Sequence, residues 1–131
     1  VALFGLGAMC SMAEAAAVML EARGISSAVI NPRWIKPLDT GTLEFYGRSV
    51  EVICTFEDHV LHNGYGCSVM EHFSEEGIAV PIVRIGWPDQ FVEHGSVEVL
   101  RSKHGLTAEA AVERILALLP EKTVEVPVVR A

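Results

Sequence analysis

Thr55-Phe-Glu-Asp-His-Val-Leu-His-Asn-Gly-Tyr-Gly66 is the stretch that decides how the rest of the chain is read. An apolar run ahead of it and into it, Val50, Val52, Ile53, Cys54 and Phe56, stops at three polar groups, Glu57, Asp58 and His59. A turn with Asn63, Gly64 and Gly66 follows, and then Val69, Met70 and Phe73 recur at helical spacing. This is a strand feeding a loop feeding a helix. In an open α/β sheet, ligands collect in the crevice outside the carboxyl ends of the strands. Glu57, Asp58 and His59 are therefore expected to stand there. Glycine turns the backbone through positive φ without strain, and asparagine is among the few other residues that tolerate it.

The same alternation extends in both directions. Val1–Leu6 reads as a buried strand, with a close turn at Gly5, Gly7 and Ala8. Ser11-x-x-Glu14 has the form of a capping box. The helix it opens would bury Met12, Ala15, Ala16, Met19 and Leu20 and end at Gly24. Ile25–Ile30 is a second strand, stopped by Asn31-Pro32, and Asp39 caps a short helix over Thr40–Tyr46. Beyond the quoted stretch, Gly64–Glu75 is a long helix and Ile82–Ile85 a fourth strand. Gly86-Trp-Pro-Asp89 reads as a turn. Ser96 and Thr107 cap two more helices; the second presents Ala111, Val112, Ile115, Leu116 and Leu119 and ends at Pro120.

Strands alternating with helices imply right-handed crossovers and a parallel sheet covered on both faces. The expected fold is α/β, a three-layer α/β/α arrangement with a mostly parallel sheet of four or five strands in the order 2-1-3-4. That order sets the Gly5–Ala8 turn and the Glu57–Gly66 loop opposite each other across one crevice. Residues 1–119 form the domain and 120–131 a tail. Within the tail, Val124, Val126 and Val128 alternate with Glu125 and Pro127, an edge strand or a loose end; the proline excludes a central strand.

The 131 residues carry 10 Lys and Arg against 17 Asp and Glu, a net charge of −7, which argues against the basic face that nucleic acid requires. Half of the residues are hydrophobic and mean hydropathy is +0.35, so part of the apolar surface is expected to meet a partner. The longest nearly apolar run, Val1–Cys10, is too short to cross a bilayer. No basic segment or cleavage site precedes it, so it does not read as a signal peptide; cysteine usage is what points to a cytoplasmic protein. Cys10, Cys54 and Cys67 are widely spaced with no CxxC pair, which reads as reduced, mostly buried thiols. Val1 already lies inside a strand pattern, so the chain is expected to be a piece of a longer polypeptide.

Each candidate for chemistry has a plainer reading beside it. Gly5-Leu-Gly7 after a strand suggests a dinucleotide loop, but Cys10 holds the place of the third glycine and Asn31, not an acid, ends the second strand. A tight strand-to-helix turn is the better reading. His59 and His62 are spaced as HxxH beside Asp58, yet no third metal ligand has a matching spacing. Glu57-Asp58-His59 places carboxylates next to an imidazole. They either line a site or cap loop amides and pair across an interface, and both readings stand. Arg33, Lys36 and Arg84 are expected near one another at the strand ends, as an anion site or as solvated charges. Trp34, Trp87 and Phe91 lie in loops, where large apolar groups mark protein contacts or anchor the loop.

Four ordered blocks carry a family resemblance. Asn31-Pro-Arg-Trp-Ile-Lys-Pro-Leu-Asp39 is the first, and Glu57-Asp-His with Asn63-Gly-Tyr-Gly-Cys-Ser-Val-Met-Glu71 the second. The third is Ile85-Gly-Trp-Pro-Asp-Gln-Phe-Val-Glu-His-Gly-Ser96, and Gly105-Leu-Thr-Ala-Glu109 is the fourth. Together they resemble the C-terminal domain of the 1-deoxy-D-xylulose-5-phosphate synthases, which are transketolase-type enzymes. Asn63 departs from the family's usual glycine and Trp87 from its leucine. The resemblance implies a transketolase C-terminal-like fold within a transferase that joins pyruvate to glyceraldehyde 3-phosphate for isoprenoid synthesis. It implies thiamine diphosphate and Mg²⁺ in the preceding domains of the full-length enzyme and none in this piece. It further implies a homodimer in which this domain is structural, with no catalytic residue of its own. The crevice and interface candidates are Glu57, Asp58, His59, Asn63, Gly64, Gly66, Arg33 and Lys36. Two other readings are kept: the C-terminal domain of a 2-oxo acid dehydrogenase E1 β chain, and a stand-alone flavodoxin-like binding module.

Overall fold

The structure is a computed structural model that describes residues 1–120. Four strands, β1 (Ala2–Gly5), β2 (Ala28–Ile30), β3 (Ile53–Val60) and β4 (Ile82–Trp87), form one sheet. They are all parallel and lie in the order β2-β1-β3-β4, as the alternation predicts. The helices are α1 (Cys10–Glu21), α2 (Thr40–Ser49), α3 (Tyr65–Glu75), α4 (Val97–Lys103) and α5 (Ala108–Leu116).

Successive strand residues point to opposite faces, and this splits the core in two. On one face Leu3, Cys54, Phe56, Val83 and Ile85 pack beneath Ala13, Ala16 and Leu20 of α1 and Ala111, Val112 and Ile115 of α5. On the other, Ala2, Phe4 and Ile53 pack beneath Leu43 of α2 and Val69 and Phe73 of α3. Helices α2 and α3 approach closely because Gly47 has no side chain. A Cβ there would stand 2.9 Å from Phe73 Cζ and 3.0 Å from Ile78 Cγ2.

Several local expectations are corrected. The capping box does not form: Ser11 lies inside α1, its hydroxyl donating to Ala8 O at 3.0 Å, and Met9 holds the cap position. A 3-10 turn over Gly7–Met9 starts the helix sooner, folded tightly onto β1. Gly7 has φ +52°, and a Cβ on Gly5 would sit 2.7 Å from Cys10 Cα. The buried stripe of α1 is Ala13, Ala16 and Leu20, whereas Ala15 is exposed. Small alanines let α1 lie close to the sheet and to α5 beside it. Strand β2 pairs only over Ala28–Ile30, on one side, and its Val29 faces outward, so it is not a doubly covered strand. Strand β4 runs on to Trp87, through the expected turn. The alternating tail lies outside the described residues. No described helix is long and apolar enough to cross a membrane.

Candidate functional site

β3 does not stop at Phe56. Its pairing with β4 breaks register after Phe56 and resumes where Val60 meets Trp87. An irregularity of this kind bends a strand and re-aims its side chains. Glu57, Asp58 and His59 are therefore strand residues rather than loop residues, and they diverge. Glu57 turns inward and is fully buried, while Asp58 and His59 are exposed.

Glu57 is the centre of the arrangement. Its Oε1 accepts a hydrogen bond from the Gly66 N–H at 3.0 Å and from Thr55 Oγ1 at 3.0 Å. The Gly66 amide belongs to the first turn of α3, where the helix dipole favours a negative group. Oε2 lies 2.7 Å from His59 Nε2 without the alignment of a hydrogen bond. The two glycines are what make room. A Cβ on Gly64 would stand 2.4 Å from Glu57 Oε2, and one on Gly66 would stand 2.8 Å from Oε1. Asn63 takes the left-handed conformation with φ 56°, while Gly64, the cap residue of α3, is extended. The pattern thus places the left-handed residue one position ahead of the glycines.

Asp58 serves a different partner. Its Oδ1 accepts from Trp87 Nε1 at 2.9 Å and its Oδ2 from Arg101 Nη2 at 2.6 Å, which ties the end of β3 to α4. Below the loop, Arg84 Nη1 donates to Leu61 O at 3.2 Å and to Cys67 Sγ at 2.9 Å. The three expected cations do not gather. Arg33 lines a pocket with Asn31 and Tyr65, Lys36 faces a groove with Glu71 and Glu75, and Arg84 is committed to the loop. Across the crevice the Leu6 N–H donates to Phe56 O at 3.0 Å, so the turn after β1 does adjoin the end of β3.

Among the described residues no three His, Cys, Asp or Glu side chains converge to hold a metal. His59 is turned to Glu57, and His62 lies exposed in the following turn. Burial pushes the Cys54 thiol up, and burial with the nearby Glu14 carboxylate does the same at Cys10, the reverse of what a nucleophilic thiolate needs. Tyr65 is also pushed up, by burial first and then by the Asp39 and Glu57 carboxylates, so its hydroxyl remains a donor. Thr55 and Arg101 hold this region together, and their sequence pattern does not single them out. A hydroxyl two residues before a strand-end carboxylate was the available signal for Thr55. What the arrangement does chemically is hold a backbone: one carboxylate fixes the strand, the turn and the start of α3 in one geometry.

Known proteins resemble this chain in sequence and in fold. Residues 1–111 match the model of the family described as transketolase, C-terminal domain. The 1-deoxy-D-xylulose-5-phosphate synthase of Methylacidiphilum infernorum is 51% identical over 119 residues, which is 91% of this chain and 19% of that protein. The enzyme of the same name from Acidobacterium capsulatum is 47% identical, again over 91% of this chain and 19% of its own length. The chain thus spans about a fifth of the relatives it matches. A solved structure described as a split gene transketolase, inactive beta4 tetramer, superposes with a TM-score of 0.80 at 36% identity, covering 90% of this chain and 37% of that one. With a parallel β2-β1-β3-β4 sheet, two packed faces and a family match running from residue 1 to residue 111, the chain belongs to the transketolase C-terminal domain family.

Proposed function

We propose that the chain is the C-terminal domain, residues 1–119 with a tail at 120–131, of a transketolase-type transferase of the 1-deoxy-D-xylulose-5-phosphate synthase kind. Its part is structural. It supports the preceding domains of the same polypeptide and the contact between two subunits, in a cytoplasmic enzyme that condenses pyruvate with glyceraldehyde 3-phosphate. The observation that carries this reading is the commitment of Glu57. The one fully buried carboxylate among the described residues is enclosed by Thr55, His59, Gly64 and Gly66 and offers no open face to a substrate.

The family's chemistry depends on thiamine diphosphate and Mg²⁺, and the donor set described here does not fit that pair. Among the described residues no three acidic, histidine or cysteine side chains converge, and the amide of Gly66 at the start of α3 is already taken by Glu57. The coenzyme belongs to the preceding domains on this reading. The 1-deoxy-D-xylulose-5-phosphate synthase names of the relatives favour this transferase over an E1 β chain.

Isothermal calorimetry of the 131-residue chain against thiamine diphosphate and Mg²⁺ tests the division of labour. No heat of binding is expected, and no carbon dioxide release from pyruvate with glyceraldehyde 3-phosphate. Tight coenzyme binding, or turnover by the chain alone, overturns the proposal.

A further inference from the structure

A second feature lies beside the crevice and takes no part in the Glu57 arrangement. A pocket of about 300 Å³ opens above the carboxyl ends of β1 and β2, between the loop after β2 and the first turns of α2 and α3. Its floor is apolar, built from the buried Phe4 and Leu43. At one wall stands Tyr65, 3% exposed, whose hydroxyl bonds to no described residue. Among the described residues, the side-chain polar atoms sealed from solvent without a partner do not include it, so the hydroxyl opens on the pocket and is free to donate to an occupant. At the mouth, Trp34 is 68% exposed. Arg33 beside it is exposed and pairs with no described carboxylate. Asp39, the acid on the rim, is already occupied by the backbone N–H and hydroxyl of Thr42.

These groups are complementary to one ligand chemistry. An aromatic face such as that of Trp34 stacks on a planar body. A guanidinium matches the paired oxygens of a carboxylate or phosphate. A phenolic O–H donates to an acceptor at the far end. The carboxyl end of an open parallel sheet is also where such sheets take their ligands. We infer that the Arg33–Trp34–Tyr65 pocket binds a small planar molecule carrying one anionic group. The inference stands independently of the transferase reading, because it needs neither the coenzyme nor another domain.

Nitrogen-edited NMR of the 131-residue chain is the test, with phenyl phosphate, benzoate and inorganic phosphate as probes. Phenyl phosphate or benzoate is expected to move the Trp34 indole and the amides of Asn31, Arg33 and Tyr65 saturably, leaving the Trp87 indole in place. Comparing the two distinguishes a phosphate from a carboxylate site. Arg33→Gln, on an exposed loop, should weaken binding about tenfold, and Tyr65→Phe about threefold, with unchanged spectra elsewhere showing that both variants fold. Three outcomes overturn the inference. The first is no saturable change with either aryl probe. The second is binding undiminished in both variants, or inorganic phosphate bound as well as phenyl phosphate. The third is the same resonances moving when the chain alone is concentrated, which makes the pocket a seat for a second copy.

Discussion

Alanine at position 64 would put a methyl group 2.4 Å from Glu57 Oε2 and 2.8 Å from His59 Nε2. Glu57 cannot retreat far, because its other oxygen is held by Gly66 and Thr55, whereas the half-exposed His59 can swing outward. Gly64→Ala is expected to cost about 1–3 kcal/mol, the usual toll of overpacking, read as a lower urea midpoint at unchanged slope. Glu57→Ala leaves the Gly66 N–H and the Thr55 hydroxyl buried without an acceptor, for a loss of about 2–4 kcal/mol. Glu57→Gln keeps the accepting oxygen and should lose less than half as much. Equal losses in the two variants would show that the hydrogen bonds at Oε1 are not what stabilises the turn. At this scale the sequence was legible in part. The strand-end position of Glu57, Asp58 and His59 could be read from where the apolar run stopped. Which of them turned inward could not, since the register break after Phe56 decides it and leaves no local signature.

At the scale of the elements, side-chain caps were the most legible feature. Asp39, Ser96 and Thr107 each accept from a backbone N–H of the helix they open. Ser11 has the same pattern and fails, because the tight turn through Gly7 takes the helix start away from it. The Asp39 cap also carries a pH dependence. Hydrogen bonds from the Thr42 hydroxyl and then the Thr42 N–H lower its pKa below the ordinary 3.8. A lowered folded pKa means the contribution is complete above the ordinary value and is lost as pH falls through the folded one. The Thr42 amide shift followed by NMR should therefore titrate with a midpoint below 3.8. A midpoint at or above that value would remove the cap. A second element-level prediction concerns α4, which none of its own side chains buries fully. Asp58→Ala removes the acceptor of Trp87 and Arg101. Amides over 97–103 should then exchange several-fold faster while those of β3 before Phe56 keep their protection. Uniform acceleration across both would instead mean a global loss of stability.

Over the whole molecule, strand order and layering were readable because they follow from periodicity and the handedness of crossovers, which act over tens of residues. The true lengths of β2 and β3 were not, because pairing partners set them. The whole-molecule prediction follows from surface. Phe91, Val97 and Val99 all expose more than half of their area. Light scattering over a concentration series is expected to show a rising mean mass, and Phe91→Ser should lower it while Trp34→Ser leaves it unchanged. A constant monomer mass at every concentration would count against a retained subunit contact.

The overrun of β3 beyond β1 has one more consequence. After Phe56 the sheet thins to a ribbon of two strands that rejoins at Val60 and Trp87, with the exposed His62 just past it. A nitroxide probe attached at position 62 would therefore ride on a short lever clear of the sheet's packed body. Its electron–electron distances would gauge where neighbouring polypeptide lies without disturbing either layer of the core.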